Sequence, residues 1–225
     1  MRENQDLDGP SIINNINKKI NKIVIMLHGY GSNGNDLIQI AKIIENSLDK
    51  TSFFAPDAPY KSKNFNGYMW FEVYPNGIPF SDATDEQKSQ IMKDFHNSCA
   101  LIKNFIYKVS KKYNVELNRI FLLGFSQGSM MSLEVGTSLK ESIGGIISLS
   151  GRIWGKNFNN IIRKKCPILI VHGSQDQIIK PFRYEETCDI LNKSNFKIEK
   201  KLINNMGHNI NDEVINILTN FIKYY

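Results

Sequence analysis

Three short uninterrupted apolar runs, at residues 23–27, 120–123 and 168–171, limit what this chain can become. They are far shorter than a membrane helix and show no apolar–polar alternation, so each fits a strand covered on both faces, the condition of a parallel sheet. Further strand-like segments lie at 52–55, 145–149 and 197–202. Helical patterns fall between them, at about 36–47, 84–113, 127–139, 181–192 and 212–223. Strands alternating with helices over short links imply βαβ crossovers, hence an α/β chain with a mainly parallel central sheet and helices on both faces. Residues 1–20 are expected to be loosely ordered or to add an antiparallel edge strand around 11–20. The length of 225 residues, with no internal repeat or low-complexity linker, suits a single domain, 1–225.

Between the run at 120–123 and the helix after it stands Gly124-Phe125-Ser126-Gln127-Gly128. A bare G-x-S-x-G is weak, because glycines are common enough to produce it by chance. In a strand–turn–helix setting it is a mechanical statement: the turn is tight, the serine takes strained backbone angles, and the residues two before and two after it must lack bulk. Ser126 would then stand at the carboxyl edge of the sheet as a nucleophile, which points to a serine hydrolase.

Sheets that carry such an elbow place the acid and then the histidine after the serine. The chain has four histidines. His28 precedes the elbow at a strand end, His96 lies in a helical stretch, and His172 ends another strand. His208 occupies the short loop between the last strand and the last helix, where a base can reach across to Ser126. The carboxylates between Ser126 and His208 are Glu134, Glu141, Asp176, Glu185, Glu186, Asp189 and Glu199. Asp176 alone directly follows a core strand, at the sheet edge where catalytic loops converge. Asp36 and Asp212 fit helix N-caps or first turns. An oxyanion hole would take the amide of Gln127 and an amide from the glycine turn His28-Gly29-Tyr30-Gly31, with Tyr30 as donor.

The formal charge of +6 is spread over short lysine pairs such as Lys18-Lys19 and Lys111-Lys112, which fit solvated faces. No basic cluster is interleaved with aromatics, so nucleic-acid binding has no support. Three cysteines without C-x-x-C spacing, Cys99, Cys166 and Cys188, argue against a disulfide framework and a zinc site, and fit a reducing compartment. The start is polar, without the apolar core of a signal peptide, and no apolar run nears the roughly 20 residues of a membrane span. A cytoplasmic location is expected. Residues 56–81 resist regular structure, with Pro56, Pro59, Pro75 and Pro79 among seven aromatic residues; that aromatic load argues for order, the side chains packing either as an extension of the core or as a wall beside the active site.

Taken together, these stretches resemble the phospholipase/carboxylesterase family of α/β-hydrolases, which includes the acyl-protein thioesterases. The matching segments are 27–37 around His28-Gly29-Tyr30-Gly31, then Pro56-Asp57-Ala58-Pro59, Gly67-Tyr68-Met69-Trp70-Phe71, 124–133 around Ser126, His172-Gly173-Ser174-Gln175-Asp176 and Met206-Gly207-His208. The bacterial carboxylesterase branch looks nearer than the eukaryotic thioesterases. The resemblance implies an α/β-hydrolase fold without a large lid domain. It implies a serine esterase for short- to medium-chain acyl esters, with thioesters and lysophospholipids in range, needing no cofactor and no metal. It carries over Ser126, Asp176 and His208 as the catalytic triad, with the Tyr30 and Gln127 amides as oxyanion hole. It also implies that Trp70, Phe71, Ile178 and Ile179 flank the acyl group. The partner would be a small acyl ester or lipid-like molecule, or an acylated protein. Tyr30 departs from the aliphatic residue common at its position, which a backbone donor tolerates. The rivals are an acyl-protein thioesterase, a peptidase, and a binding protein on the same fold that has lost its chemistry.

Overall fold

The computed structural model describes residues 6–14, 19–154, 158 and 163–225. A seven-stranded sheet is built from β1 (Ser11–Ile12), β2 (Lys22–Leu27), β3 (Thr51–Phe54), β6 (Ile120–Phe125), β7 (Gly145–Leu149), β8 (Ile168–Gly173) and β9 (Ile198–Ile203). Its order is β1-β3-β2-β6-β7-β8-β9, and every pairing is parallel except β1 with β3. The helices are α1 (Gly34–Ile44), α2 (Asp85–Tyr113), α3 (Gln127–Thr137), α4 (Pro181–Lys193) and α5 (Asp212–Tyr224).

Successive side chains of a strand point to opposite faces, and the strand residues divide accordingly. Ile23, Ile25 and Leu27 of β2, with Ile120 and Leu122 of β6, join a core with α2, α3 and α4. Val24 and Met26, with Phe121 and Leu123, join a second core with α1 and α5. Both faces are covered, which is why these strands read as continuous apolar runs. The α2 stripe Ile91, Phe95, Cys99, Ile102, Ile106 and Val109 recurs at three- and four-residue spacing, one buried face of a helix. Thr84 and Gln87 form a reciprocal capping box at its start.

Boundaries differ from the sequence expectation where local chemistry decides them. α1 begins at Gly34 because the Asn33 side chain, not Asp36, accepts the capping bond, from the Asp36 amide at 3.0 Å. Asn211 does the same for α5 through the Val214 amide, leaving Asp212 in the first turn. The N-terminal edge is a two-residue strand, with Ser11 opposite Phe54 and Ile12 opposite Phe53; the 15–18 part of the expected strand lies outside the described residues. β9 closes the other edge, its Lys200 and Lys201 exposed, a pattern that discourages strand addition.

The segment 56–81 contains a small antiparallel hairpin, β4 (Tyr60–Lys61) with β5 (Tyr68–Met69). Tyr68 ties the hairpin to the turn after β2: its carbonyl accepts from the Gly31 amide at 2.8 Å, and its amide donates to the Ser32 carbonyl at 2.7 Å. Among the described residues no separate lid domain interrupts the sheet. β6 is the fourth of seven strands, so the turn at its carboxyl end opens over the middle of the sheet edge.

Candidate active site

That central turn is the elbow. Ser126 lies between β6 and α3 with φ 55° and ψ −116°, a left-handed conformation that costs a non-glycine residue about 1–3 kcal/mol. Its amide donates to the Leu149 carbonyl at 2.9 Å, fastening the turn to the neighbouring strand. The flanking glycines are steric requirements. A Cβ on Gly128 would stand 1.8 Å from the Leu27 carbonyl oxygen, and one on Gly124 would stand 2.2 Å from the Gly128 oxygen. Both obstacles are backbone and cannot swing aside. Gly128→Ala should therefore force α3 away from β2 at a cost of about 3 kcal/mol, the upper range for overpacking. The check is a thermal melt, with Tm expected to fall by about 6–12 °C for a chain of this size.

Asp176 follows β8 and is fully buried. Its Oδ1 accepts from the amides of Ile178 and Ile179, each at 2.9 Å, and its Oδ2 faces His208 Nδ1 at 2.7 Å. A carboxylate only accepts, so this bond puts the proton on Nδ1 and leaves Nε2 with a lone pair. The His208 side chain is 17% exposed and its ring packs 4.9 Å from that of Phe125, the residue before Ser126. Among the described residues no hydrogen bond joins Ser126 Oγ to the imidazole. Such bonds are commonly long in free enzymes and tighten when substrate arrives.

The other histidines have structural duties. His28 is buried, with Nδ1 against the Gly29 carbonyl at 2.8 Å and Nε2 accepting from the Ala58 amide at 3.0 Å. His172 is buried too; its Nε2 donates to the Ile179 carbonyl at 2.8 Å and sits 3.4 Å from Asp176 Oδ2. Burial pushes the pKa of both rings down, so each is held neutral. His96 is exposed on α2.

The turn after β2 closes on the serine from the other side: a Cβ on Gly29 would lie 3.4 Å from Ser126 Cβ. Gly31 and Ser32 spend their amides inside the turn and hairpin, whereas the Tyr30 and Gln127 amides take no backbone acceptor among the described residues. The Gln127 amide also belongs to the orphan first turn of α3, where developing negative charge is favoured. The Tyr30 side chain is held away from the chemistry. Its hydroxyl donates to Glu72 Oε1 at 2.7 Å, and burial followed by Glu72 pushes its pKa up to about 12. Phe65 and Tyr74 pack edge-on against its ring.

The expected acyl wall needs correction. Trp70 and Phe71 have no exposed surface. They are core residues behind the site, because their backbone is drawn inward by Gln127. That side chain accepts from the Trp70 amide at 2.9 Å and donates to the Phe71 carbonyl at 2.7 Å. The Trp70 indole also donates to the His28 carbonyl at 2.9 Å. Ile179 is 9% exposed, while Ile178 is 66% exposed at the rim. The clamp by the Gln127 side chain was invisible in the sequence, since its partners lie 57 and 56 residues away. Among the described residues no group of three or more His, Cys, Asp or Glu could hold a metal.

Known proteins agree with this architecture. The chain matches the phospholipase/carboxylesterase family over residues 8–225. It is 29% identical over 215 residues to acyl-protein thioesterase 1 of Candida albicans, covering 89% of this chain and 90% of that protein. It is 32% identical over 181 residues to acyl-protein thioesterase 1 of Emericella nidulans, covering 72% of each. The crystal structure of esterase PE8 superposes with a TM-score of 0.86 at 26% identity, covering 98% of this chain and 99% of that one. An elbow serine over the middle of a parallel sheet and a buried carboxylate holding a loop histidine, with the family match along nearly the whole chain, place this protein in the phospholipase/carboxylesterase family of α/β-hydrolases.

Proposed function

We propose that this chain is a serine carboxylesterase acting on short- to medium-chain acyl esters, thioesters included, through Ser126, His208 and Asp176. The observation that carries this reading is the 2.7 Å bond from His208 Nδ1 to buried Asp176, 32 residues earlier, on the loop beside the strained Ser126. His208 Nε2 takes the proton of Ser126 Oγ as that oxygen attacks the acyl carbonyl. The Tyr30 and Gln127 amides receive the oxyanion. When the tetrahedral adduct collapses, the alcohol or thiol leaves with the proton from Nε2. Water then repeats the sequence on the acyl-enzyme, and the carboxylic acid departs. Asp176 keeps the imidazole in the useful tautomer and stabilises the imidazolium.

The names of the fungal relatives support an acylated protein as an alternative substrate. Exposed Ile178 and Phe182 beside the acid loop offer an apolar surface to an acyl chain. A silent binding protein is disfavoured, because Ser126, Asp176 and His208 are all present and two of them are already bonded. Among the described residues no helix is long and apolar enough to cross a membrane. The three cysteines are free and buried, which supports a reducing, cytoplasmic setting.

The test is hydrolysis of p-nitrophenyl acetate, butyrate, octanoate and palmitate, with octanoyl-thiocholine as thioester. Turnover is expected to peak at butyrate or octanoate. A folded protein inert towards all five would overturn the reading.

A further inference from the structure

The segment 150–154 leaves β7 and crosses the carboxyl edge of the sheet beside the elbow. Ser150 turns the chain at φ 47° and donates its amide to the Val171 carbonyl of β8 at 2.9 Å. Gly151 lies against the elbow itself: a Cβ there would be 3.0 Å from the Ser126 carbonyl oxygen. The Ile153 amide donates to Thr187 Oγ1 of α4 at 3.1 Å, and Trp154 packs on Phe71 and Phe80. Arg152 is thus held between the Ser126 turn and α4. Its half-buried guanidinium lies 4.6 Å over the Trp154 ring.

This guanidinium has no protein acceptor among the described residues. Among the described residues no carboxylate lies within ion-pair distance of it, and no acceptor takes any of its five N–H donors. The titratable groups acting on it are Arg183, Glu186 and Tyr74, and Glu186 is already bonded to Arg183 at 2.7 Å. Two cations therefore face one carboxylate. Arg163 shows what this fold does with an arginine that only supports structure. It is ion-paired to Glu134 at 2.9 Å, bonded to Thr137 Oγ1 at 2.8 Å and stacked on Phe158. Among the described residues, two groups on the same segment, Ser150 Oγ and Trp154 Nε1, are buried without partners. A half-buried guanidinium without a protein acceptor, on the same segment as two buried orphan groups and next to the elbow, is free to take an outside anion.

We propose that Arg152 is the specificity-determining residue of this site and binds an anionic group, carboxylate or phosphate, carried by the ester substrate. This rests on Ser126 being the esterase nucleophile. A guanidinium fork takes a carboxylate or phosphate through two parallel N–H bonds, and the indole face behind it keeps the fork oriented.

Two matched pairs of substrates test it. The pair 4-nitrophenyl hemiglutarate and 4-nitrophenyl valerate differs by a carboxylate on the acyl half. The pair 1-octanoylglycerol-3-phosphate and 1-octanoylglycerol differs by a phosphate on the alcohol half. The quantity read is the charged-to-neutral ratio of kcat/KM within each preparation, which does not depend on the folded fraction. In one pair Arg152→Met and Arg152→Gln should lower that ratio by about 10–100-fold, the range for a charge-assisted bond, and Arg152→Lys should retain part of it. The pair that moves identifies which half carries the anion. A ratio unchanged in both pairs, with the neutral esters still turned over, overturns the role of Arg152 alone. A folded wild-type protein that hydrolyses none of the four overturns this proposal and the esterase reading together.

Discussion

Ser126→Ala is expected to lower kcat on p-nitrophenyl butyrate by a factor on the order of 10⁶, the scale seen when a triad nucleophile is removed. In the proposed mechanism the loss is large because the serine, histidine and aspartate act as one unit; without Oγ there is no acyl-enzyme, and only binding and oxyanion stabilisation remain. The fold should survive, since Ser126 is held by its backbone, through the bond to Leu149, and its hydroxyl supports nothing among the described residues. A second variant separates chemistry from strain. Ser126→Gly should be equally inactive yet more stable than Ser126→Ala, because glycine adopts φ 55° without penalty. Turnover by either variant within tenfold of wild type would remove Ser126 from the mechanism.

Asp176→Asn should reduce kcat by about 10⁴ while KM changes little. The two carboxylate oxygens serve different partners: Oδ1 accepts from two backbone amides and Oδ2 accepts from His208. An amide side chain cannot do both. If its oxygen keeps the Ile178 and Ile179 amides, its NH₂ faces His208 Nδ1 and drives the proton to Nε2, where the imidazole can no longer take one from the serine. If it flips, His208 keeps its tautomer but two buried N–H groups meet an NH₂ donor. Either arrangement also loses charge-assisted bonds, for a stability loss of about 1.5–3 kcal/mol. Steady-state kinetics with a thermal melt of the same sample distinguish the two losses. A folded variant with kcat reduced less than tenfold would show that Asp176 does not orient the base.

Much of the site is legible in the amino-acid sequence. The elbow can be read because it is local: five residues, a strand before them and a helix after. Asp176 and His208 can be picked out because the chain order leaves one histidine on a suitable loop and one carboxylate at a core strand end. The structure brings those two into contact, and it gives His28 and His172 packed, hydrogen-bonded roles, with His172 3.4 Å behind the Asp176 oxygen that faces His208. The aromatic segment is less readable. The residues alone leave Trp70 and Phe71 open to core or cleft, and the family resemblance sets them beside the acyl group; they lie wholly buried behind the site. An aromatic side chain packs equally well in a core or along a cleft, and here the choice is made by the side chain of Gln127, fifty-odd residues away in the chain. The hairpin β4–β5 has two-residue strands, too short to leave any periodicity.

The layered α/β architecture, the position of the elbow serine and the candidates for its acid and base follow from the order of residues alone. Strand and helix periods, glycines at a tight turn and the succession of candidate side chains are one-dimensional properties, and each carries its physical reason with it. Three-dimensional packing settles the rest among the described residues: which amides around Ser126 remain free, which aromatics retreat into the core, and that Arg152 stands beside the elbow without a carboxylate while Arg163 is paired to Glu134. Those are questions of who meets whom across long separations. Satisfaction of a hydrogen bond or a charge depends on the distance to a partner, and distance exists only once the sheet has brought its strand ends together.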